Sequence, residues 1–217
     1  MSRVITVKGI GKVSAKPDLV VLKMSLRAHE MEYERAMEQA AWQVNRLKEC
    51  LEGIGFERDA VKTSNFDVDT DYASVEDSKG KYKRVFNGFV CKHRLKIEFD
   101  FDVVRLAQAL SAVAGCTANP ELSISFTVKD RNGINEELLR SAATNARSKA
   151  EILCEASGVK LGQLMKIDYN WGEISVFSRT RYDMEDSCIG MCADSSIDIE
   201  PEDIDVSDTA TFVWEIA

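Results

Sequence analysis

The chain contains the same order of elements twice: an alternating strand, a long amphipathic helix, a glycine break and a second strand. Residues 19–72 show this order first, and residues 121–171 repeat it. Within the first copy, residues 19–28 alternate between apolar and polar side chains, which predicts a strand with one buried face. The repeat predicts an α+β fold, in which two strand–helix–strand repeats pack their long helices on a mostly antiparallel sheet.

Both long helices are predicted from apolar residues at helical spacing. The first covers residues 31–52 and ends at Gly53 and Gly55, because glycine adopts the left-handed conformation at a helix end at little cost. The second covers residues 134–156 and ends at Gly158. Its inner side is predicted to carry mostly small residues: Leu138, Ala142, Ala146, Ala150 and Leu153.

Two glycine-containing segments are predicted to be turns. Residues 9–11 read Gly-Ile-Gly after a strand at residues 4–8, but they lack the third glycine and the following helix of a nucleotide-binding fingerprint. Residues 130–133 form the second predicted turn. Since no linker rich in Pro, Gly or Ser separates the repeats, we expect a single domain over residues 1–217, with pseudo-repeats at about 19–99 and 102–217.

The charge of the chain limits its partners. A net charge of −8 argues against a nucleic-acid binder and against docking on an anionic membrane surface. No run approaches the roughly 18 apolar residues of a membrane span. The first residues lack the apolar core of a signal peptide, so a cytoplasmic location is expected for the sequence as given.

Groups that could perform catalysis are sparse. The two histidines, His29 and His93, are too few for a triad or a His-based metal site, and His93 falls on the apolar face of a predicted strand. Asp67, Asp69 and Asp71 match the start of a calcium loop, but its glycine and glutamate are missing. We therefore expect a protein without enzymatic activity and without a cofactor.

The three aspartates are better explained as one face of a strand over residues 61–72. After a polar loop at residues 73–83, a strand over residues 85–99 carries cations on one face: Lys92, Arg94 and Lys96. Antiparallel pairing of these strands would place carboxylates opposite cations, and each such pair stabilises by about 0.2–1 kcal/mol.

The six cysteines fall into two groups. Those in apolar periodic segments are predicted to be buried free thiols: Cys50, Cys91, Cys116 and Cys154. Cys188 and Cys192 lie instead in a segment near residues 175–203 that is predicted to be irregular and acidic. If exposed, this pair could form a reversible disulfide; the alternative is a variable surface loop.

Trp42 is an unusual residue for the charged side of a helix. It lies opposite the apolar stripe of the first long helix, in line with Arg35 and Arg46. Such a tryptophan is either covered by another element or belongs to an interface, where Trp is enriched. In the second case, Trp42, Arg35 and Arg46 would contact another copy of the chain or a protein partner.

Five segments, taken in order, resemble the SIMPL family of YggE-like proteins. The resemblance covers nearly the whole chain. It is carried by residues 5–13, Pro17-Asp18, residues 61–63, residues 143–162 and the closing stretch 197–216, where a proline-marked turn precedes a long alternating strand.

The resemblance implies two strand–helix–strand halves on a shared sheet. Known members include envelope proteins that assemble into rings or channels, and others linked to oxidative-stress defence or to a signalling kinase. No catalytic residues are established for the family, and this chain departs from its pattern at Glu202, where a glycine usually follows the turn proline. We expect a non-enzymatic, self-associating binding or scaffold protein with a stress-related role. The alternative is a thiol-based oxidative-stress protein that uses Cys188 and Cys192.

Overall fold

The computed structural model describes residues 3–76, 80–170, 172, 174–184 and 199–217. The chain divides into two compact units whose segments alternate along the sequence. Unit 1 comprises Met1–Asp18, Thr127–Arg179 and Pro201–Ala217. Unit 2 comprises Leu19–Phe126 and Thr180–Glu200. The single-domain organisation stays a prediction.

The elements follow the predicted alternation of strands and long helices. The strands are β1 (Val4–Ala15), β2 (Leu19–Glu30), β3 (Lys62–Glu76), β4 (Tyr82–Asp100), β5 (Glu121–Thr127), β6 (Leu161–Tyr169), β7 (Phe177–Met184) and β8 (Ile204–Ile216). The α-helices are α1 (Tyr33–Glu52), α2 (Val103–Ala114) and α3 (Arg131–Ala156), and a short 3₁₀ helix covers Arg58–Ala60.

The strands form two sheets. One has the order β1–β8–β6 and the other the order β3–β4–β2–β5–β7. The pairs β1–β8, β6–β8, β2–β4 and β3–β4 are antiparallel. The predicted α+β class is confirmed, but the described strands do not form the shared sheet that the family resemblance implied. The segment predicted to be irregular near residues 175–203 contains a strand, β7, at the end of the larger sheet.

In unit 1, α3 packs on β1 and β8. The predicted turn at residues 9–11 is wrong, because β1 continues through both glycines. A Cβ atom at Gly9 would lie 2.1 Å from the carbonyl oxygen of Ala142, and one at Gly11 would lie 2.1 Å from that of Leu138. The glycines therefore allow the helix backbone to approach the strand, which the sequence pattern alone does not show.

The described ends of α3 differ in part from the prediction. The predicted turn at residues 130–133 is wrong, since Asp130 is the N-cap of α3 and its carboxylate accepts a hydrogen bond of 2.8 Å from the Gly133 amide. The predicted break at Gly158 is confirmed by its positive φ of 68°. Of the predicted inner residues, Leu153 is half exposed, and Cys154 is buried instead.

In unit 2, α1 packs on β2 and β4 and contacts α2. The predicted inward residues of β2 are buried: Leu22, Met24, Leu26 and Ala28. They share hydrophobic clusters with apolar residues of the helices, among them Ala36, Leu47, Leu51, Leu106 and Leu110. At the end of α1, the left-handed conformation occurs at Gly55, whose φ is +85°, while Gly53 stays helical.

The hairpin of β3 and β4 is longer than predicted, since β3 continues to Glu76 and β4 begins at Tyr82. The predicted ionic pairing is formed only in part. Asp67 lies opposite Lys92, and Lys92 Nζ lies 3.4 Å from a carboxylate oxygen of Asp69. Asp69 itself lies opposite Val90 and Asp71 opposite Gly88, because the antiparallel register carries the two charge runs away from each other. On the other face of the hairpin, Phe66 lies opposite His93 and Val68 opposite Cys91.

Candidate functional site

The predicted interface residues lie on α1. Trp42 is 44% exposed. The Arg35 Nε atom lies 3.0 Å from a carboxylate oxygen of Glu32, and Arg46 Nη1 lies 2.6 Å from one of Glu49. Both cations are thus neutralised by nearby carboxylates along the chain, while the Trp42 ring remains accessible. An interface role for Trp42, Arg35 and Arg46 stays a prediction.

The four thiols predicted to be free are free, and three of them, Cys91, Cys116 and Cys154, are buried. Cys50 is partly buried. Burial, together with a hydrogen bond to Cys116, raises the pKa of the Cys50 thiol to about 11. Since the thiolate is the nucleophile, this raised pKa disfavours the reactive form of Cys50 at neutral pH. Cys188 and Cys192 lie outside the described residues, and their redox role stays a prediction.

His93 is a hydrogen-bonded residue of the apolar strand face, as predicted. Its Nε2 atom lies 2.8 Å from Thr63 Oγ1. Burial, aided by the positive charge of Lys48, lowers the pKa of His93. The neutral ring is therefore favoured in the fold.

His29 has partners that the sequence did not reveal. Its Nε2 atom lies 2.7 Å from the carbonyl oxygen of Asn87 and 3.6 Å from Asp71 Oδ2. The Asn87 side chain donates to the same Asp71 oxygen at 2.7 Å, and this hydrogen bond lowers the pKa of Asp71. Within the described part of the chain, no three His, Cys, Asp or Glu side chains are placed to hold a metal ion.

Unit 2 carries a cluster of aromatic side chains on α1, β3 and β4. Tyr33 contacts Phe89, Phe89 contacts Phe86, and Phe86 contacts Tyr72, each with an edge-to-face geometry. The guanidinium of Arg84 lies 4.9 Å from the centre of the Tyr72 ring. Part of the surface of these rings is therefore already in contact with other side chains of unit 2.

Unit 1 contains a more accessible apolar feature along β6, the last strand of the three-stranded sheet. We call the outer side of Leu161–Tyr169 the β6 edge. Leu164, Met165 and Ile167 are 46%, 54% and 53% exposed. Helix α3 packs mainly on β1 and β8, so these side chains lie beyond the area that the helix covers.

The backbone groups of β8 alternate between its two neighbours. Ala217 exchanges hydrogen bonds of 2.8 and 3.0 Å with Lys160, at the start of β6, while the Ile216 amide donates to Arg3, beside β1, at 2.9 Å. In an antiparallel sheet, successive residues direct their N–H and C=O groups to opposite sides. The N–H and C=O groups of the odd-numbered residues of β8 therefore point toward β6.

This alternation fixes the direction of the groups on β6. The backbone groups of Thr211 and Val213 point toward β6, where their partners in the register are Asp168 and Lys166. Ile167 lies between these partners, so its N–H and C=O point to the outer side of the sheet. The β6 edge thus combines outward backbone groups with exposed apolar side chains.

The other outer strand, β1, is closed by α3. The Ile10 amide donates to Asn145 Oδ1 at 3.0 Å, and the Lys12 amide donates to Ser141 Oγ at 3.2 Å. These amides belong to the side of β1 that faces away from β8. Side chains of the helix therefore occupy the positions that a further strand would need.

A groove of about 360 Å³ lies beside the β6 edge. Leu164 forms part of its wall, and the stacked rings of Phe212 and Trp214 lie at its base, with their centres 5.5 Å apart. An ion pair between Arg147 and Glu151 borders it. The groove extends the apolar surface from β6 toward α3.

The second strand of the repeat over residues 121–171 is predicted from about residue 164, but the sequence does not predict that it would be an exposed edge. The available signal was the stretch Leu164–Asp168, where apolar residues alternate with Lys166 and Asp168. That stretch does not show which neighbours the strand has, because the nearest strand, β8, begins at Ile204.

Most of the chain matches the model of a known family. The SIMPL family model, described as "Protein of unknown function (DUF541)", matches residues 5–214. The chain therefore belongs to the SIMPL family, as its motifs predicted.

Two proteins named "26 kDa periplasmic immunogenic protein" are similar to this chain. The one from Brucella abortus (strain S19) is 21% identical over 163 residues, and the one from Brucella melitensis biotype 1 is 20% identical over 163 residues. Each match covers 75% of this chain and 65% of the relative. Among the described residues, no helix is both long and apolar enough to cross a membrane.

Proposed function

We propose that this SIMPL protein is a non-enzymatic binding or scaffold protein that self-associates by pairing its β6 edge with that of another copy. The observation that carries the proposal is the β6 edge itself. There, the outward backbone groups of Ile167 coincide with the exposed side chains of Leu164 and Met165. An exposed strand edge of this kind is a template for pairing with a further strand.

Two other described edges, those of β1 and β3, are less suited to self-pairing. The β1 edge is occupied by Ser141 and Asn145 of α3. One outer strand of the larger sheet, β3, carries Asp67, Asp69 and Asp71. Two copies of this acidic strand would bring carboxylates together, and like charges that face each other across strands are destabilising.

The non-enzymatic part of the proposal is supported by the chemistry of the described groups. The raised pKa of Cys50 disfavours its nucleophilic thiolate, and His93 is hydrogen-bonded to Thr63 within the fold. A cytoplasmic location, a stress-related role and the thiol alternative at Cys188 and Cys192 stay predictions. The Brucella relatives are named periplasmic, which is the competing location.

Self-association is tested by light scattering over a range of concentrations in reducing buffer. We expect the wild-type mass to rise with concentration. Ile167→Lys should weaken association at least tenfold, because the charge would enter the paired edge and the burial of an Ile side chain, about 1.5–3 kcal/mol, would be lost. Ile10→Lys is the matched control, since Ile10 is 38% exposed on the closed strand of the same sheet.

A wild-type protein that stays monomeric at every concentration would contradict self-association. An oligomer that Ile167→Lys leaves intact would contradict the use of the β6 edge. In that case Trp42→Ala, in the same assay, tests the predicted interface on α1. An oligomer that forms only in oxidising buffer would favour the thiol alternative.

A further inference from the structure

We infer that two copies pair along β6 in antiparallel direction about a two-fold axis, with Ile167 opposite the partner's Ile167. In this register, Lys166 of each copy lies opposite the partner's Asp168. The inference rests on the proposed self-association and adds its geometry: a symmetric pair of identical edges whose charges complement each other.

The directions of the backbone groups permit this register. The N–H and C=O of Ile167 point outward, so two Ile167 residues that face each other can exchange both hydrogen bonds. A two-fold axis through this point makes the interface isologous, because each copy contributes the same surface. Both outward groups of Ile167 are satisfied by a single partner.

The charges select this register among its neighbours. Lys166 and Asp168 are exposed, and their charged atoms lie 2.7 Å apart on one face of the strand. With the axis at Ile167, each cation faces a carboxylate of the partner, which is a stabilising cross-strand arrangement. With the axis at Lys166, two lysines would face each other, and with the axis at Asp168, two aspartates would do so.

The apolar face of the sheet continues across the same axis. Ile167 is paired with Phe212, and Leu164 with Trp214, so these side chains share the sheet face that α3 covers further along. Pairing at Ile167 would join this face to that of the partner. It would shield the Ile167 side chain, which is 53% exposed in the single chain.

Charge reversal tests the register. We expect Lys166→Glu and Asp168→Lys each to weaken association by roughly tenfold, because both cross-strand pairs about the axis become repulsive. An equimolar mixture of the two variants should recover association, since each copy of one variant then faces opposite charge in the other. Native mass spectrometry of the mixture should show pairs that contain one copy of each variant.

Lys8→Glu is the matched control. Lys8 is an exposed lysine of β1 in the same sheet, and this substitution changes the net charge as much as Lys166→Glu does. We expect it to leave association unchanged. Urea unfolding of dilute samples separates a loss of pairing from a loss of folding.

The outcomes distinguish the two proposals. A monomeric wild-type protein contradicts both. A wild-type oligomer that persists in both charge variants supports self-association but overturns this register. The same holds if each variant dissociates but their mixture does not recover, because two-fold pairing requires that residues 166 and 168 face each other.

Discussion

The two outer strands of the three-stranded sheet, β1 and β6, have different surroundings. Along β1, side chains of α3 accept hydrogen bonds from the outward amides of Ile10 and Lys12. Along β6, the outward groups of Ile167 are accompanied by exposed apolar side chains. The comparison teaches that the edge of β1 is protected by the neighbouring helix, which the strand's own sequence lets come close.

Glycine explains why the helix closes one edge and leaves the other open. Gly9 and Gly11 let the backbone of α3 come so near to β1 that any Cβ atom would clash with it. At this distance the short side chains of Ser141 and Asn145 reach the edge of the strand. Along β6, α3 makes few contacts, and no comparable closure occurs among the described residues.

The largest expected effect comes from removing this close approach. Gly9→Ala should lower the free energy of unfolding by about 3 kcal/mol, at the upper end of the range for overpacking, because the new methyl group meets the backbone of Ala142 rather than a side chain that can move. Urea unfolding measures the change. The control is Gly172→Ala, since no atom of the described residues, apart from its chain neighbours, lies within 4 Å of a Cβ at that glycine. Equal stability of the two variants would contradict the account of the closed edge.

A smaller effect is expected from opening the β1 edge at one hydrogen bond. Asn145→Ala removes the acceptor of the Ile10 amide, and one such bond contributes about 1 kcal/mol. The Ile10 amide should then exchange with solvent faster. The Lys12 amide is an internal control, because its acceptor, Ser141, is retained. Unchanged exchange at Ile10 would show that Asn145 does not protect this edge.

The smallest expected effect is a pH dependence of stability that arises in unit 2, because both histidines lie in that unit. The pKa of His93 is lowered in the fold, so the unfolded chain binds the proton more readily. The stability due to neutral His93 is therefore present above its unfolded pKa of about 6.5 and is lost as the pH falls through the lowered value. His93→Gln should reduce this slope in unfolding experiments between pH 7.5 and 5, whereas His29→Gln should retain it. An unchanged slope in His93→Gln would rule out His93 as its source.

Local periodicity predicted the repeated order of elements and the inner residues of α3 from Leu138 to Ala150. It failed where the outcome depended on distant neighbours. The role of Gly9 depends on Ala142, which lies far along the chain. The ionic pairing of β3 and β4 is only partial because it depends on their antiparallel register.

The same limit applies to the candidate site. Helical spacing placed Trp42 on an exposed side, because that property depends on one helix. The open edge at Ile167 depends on the order β1–β8–β6, which joins strands from both ends of the chain. The sequence shows that Lys166 and Asp168 alternate with apolar residues. Only the strand order of the sheet shows that these residues lie on an open edge.

The central claim is that the β1 edge is closed within each copy and the β6 edge is closed by a second copy. Amide hydrogen exchange at Ile10 and Ile167, measured at low and high protein concentration, tests it most directly. We predict that Ile10 is protected at both concentrations and that Ile167 becomes protected only at the high one. Association that leaves the exchange of Ile167 unchanged would contradict the claim.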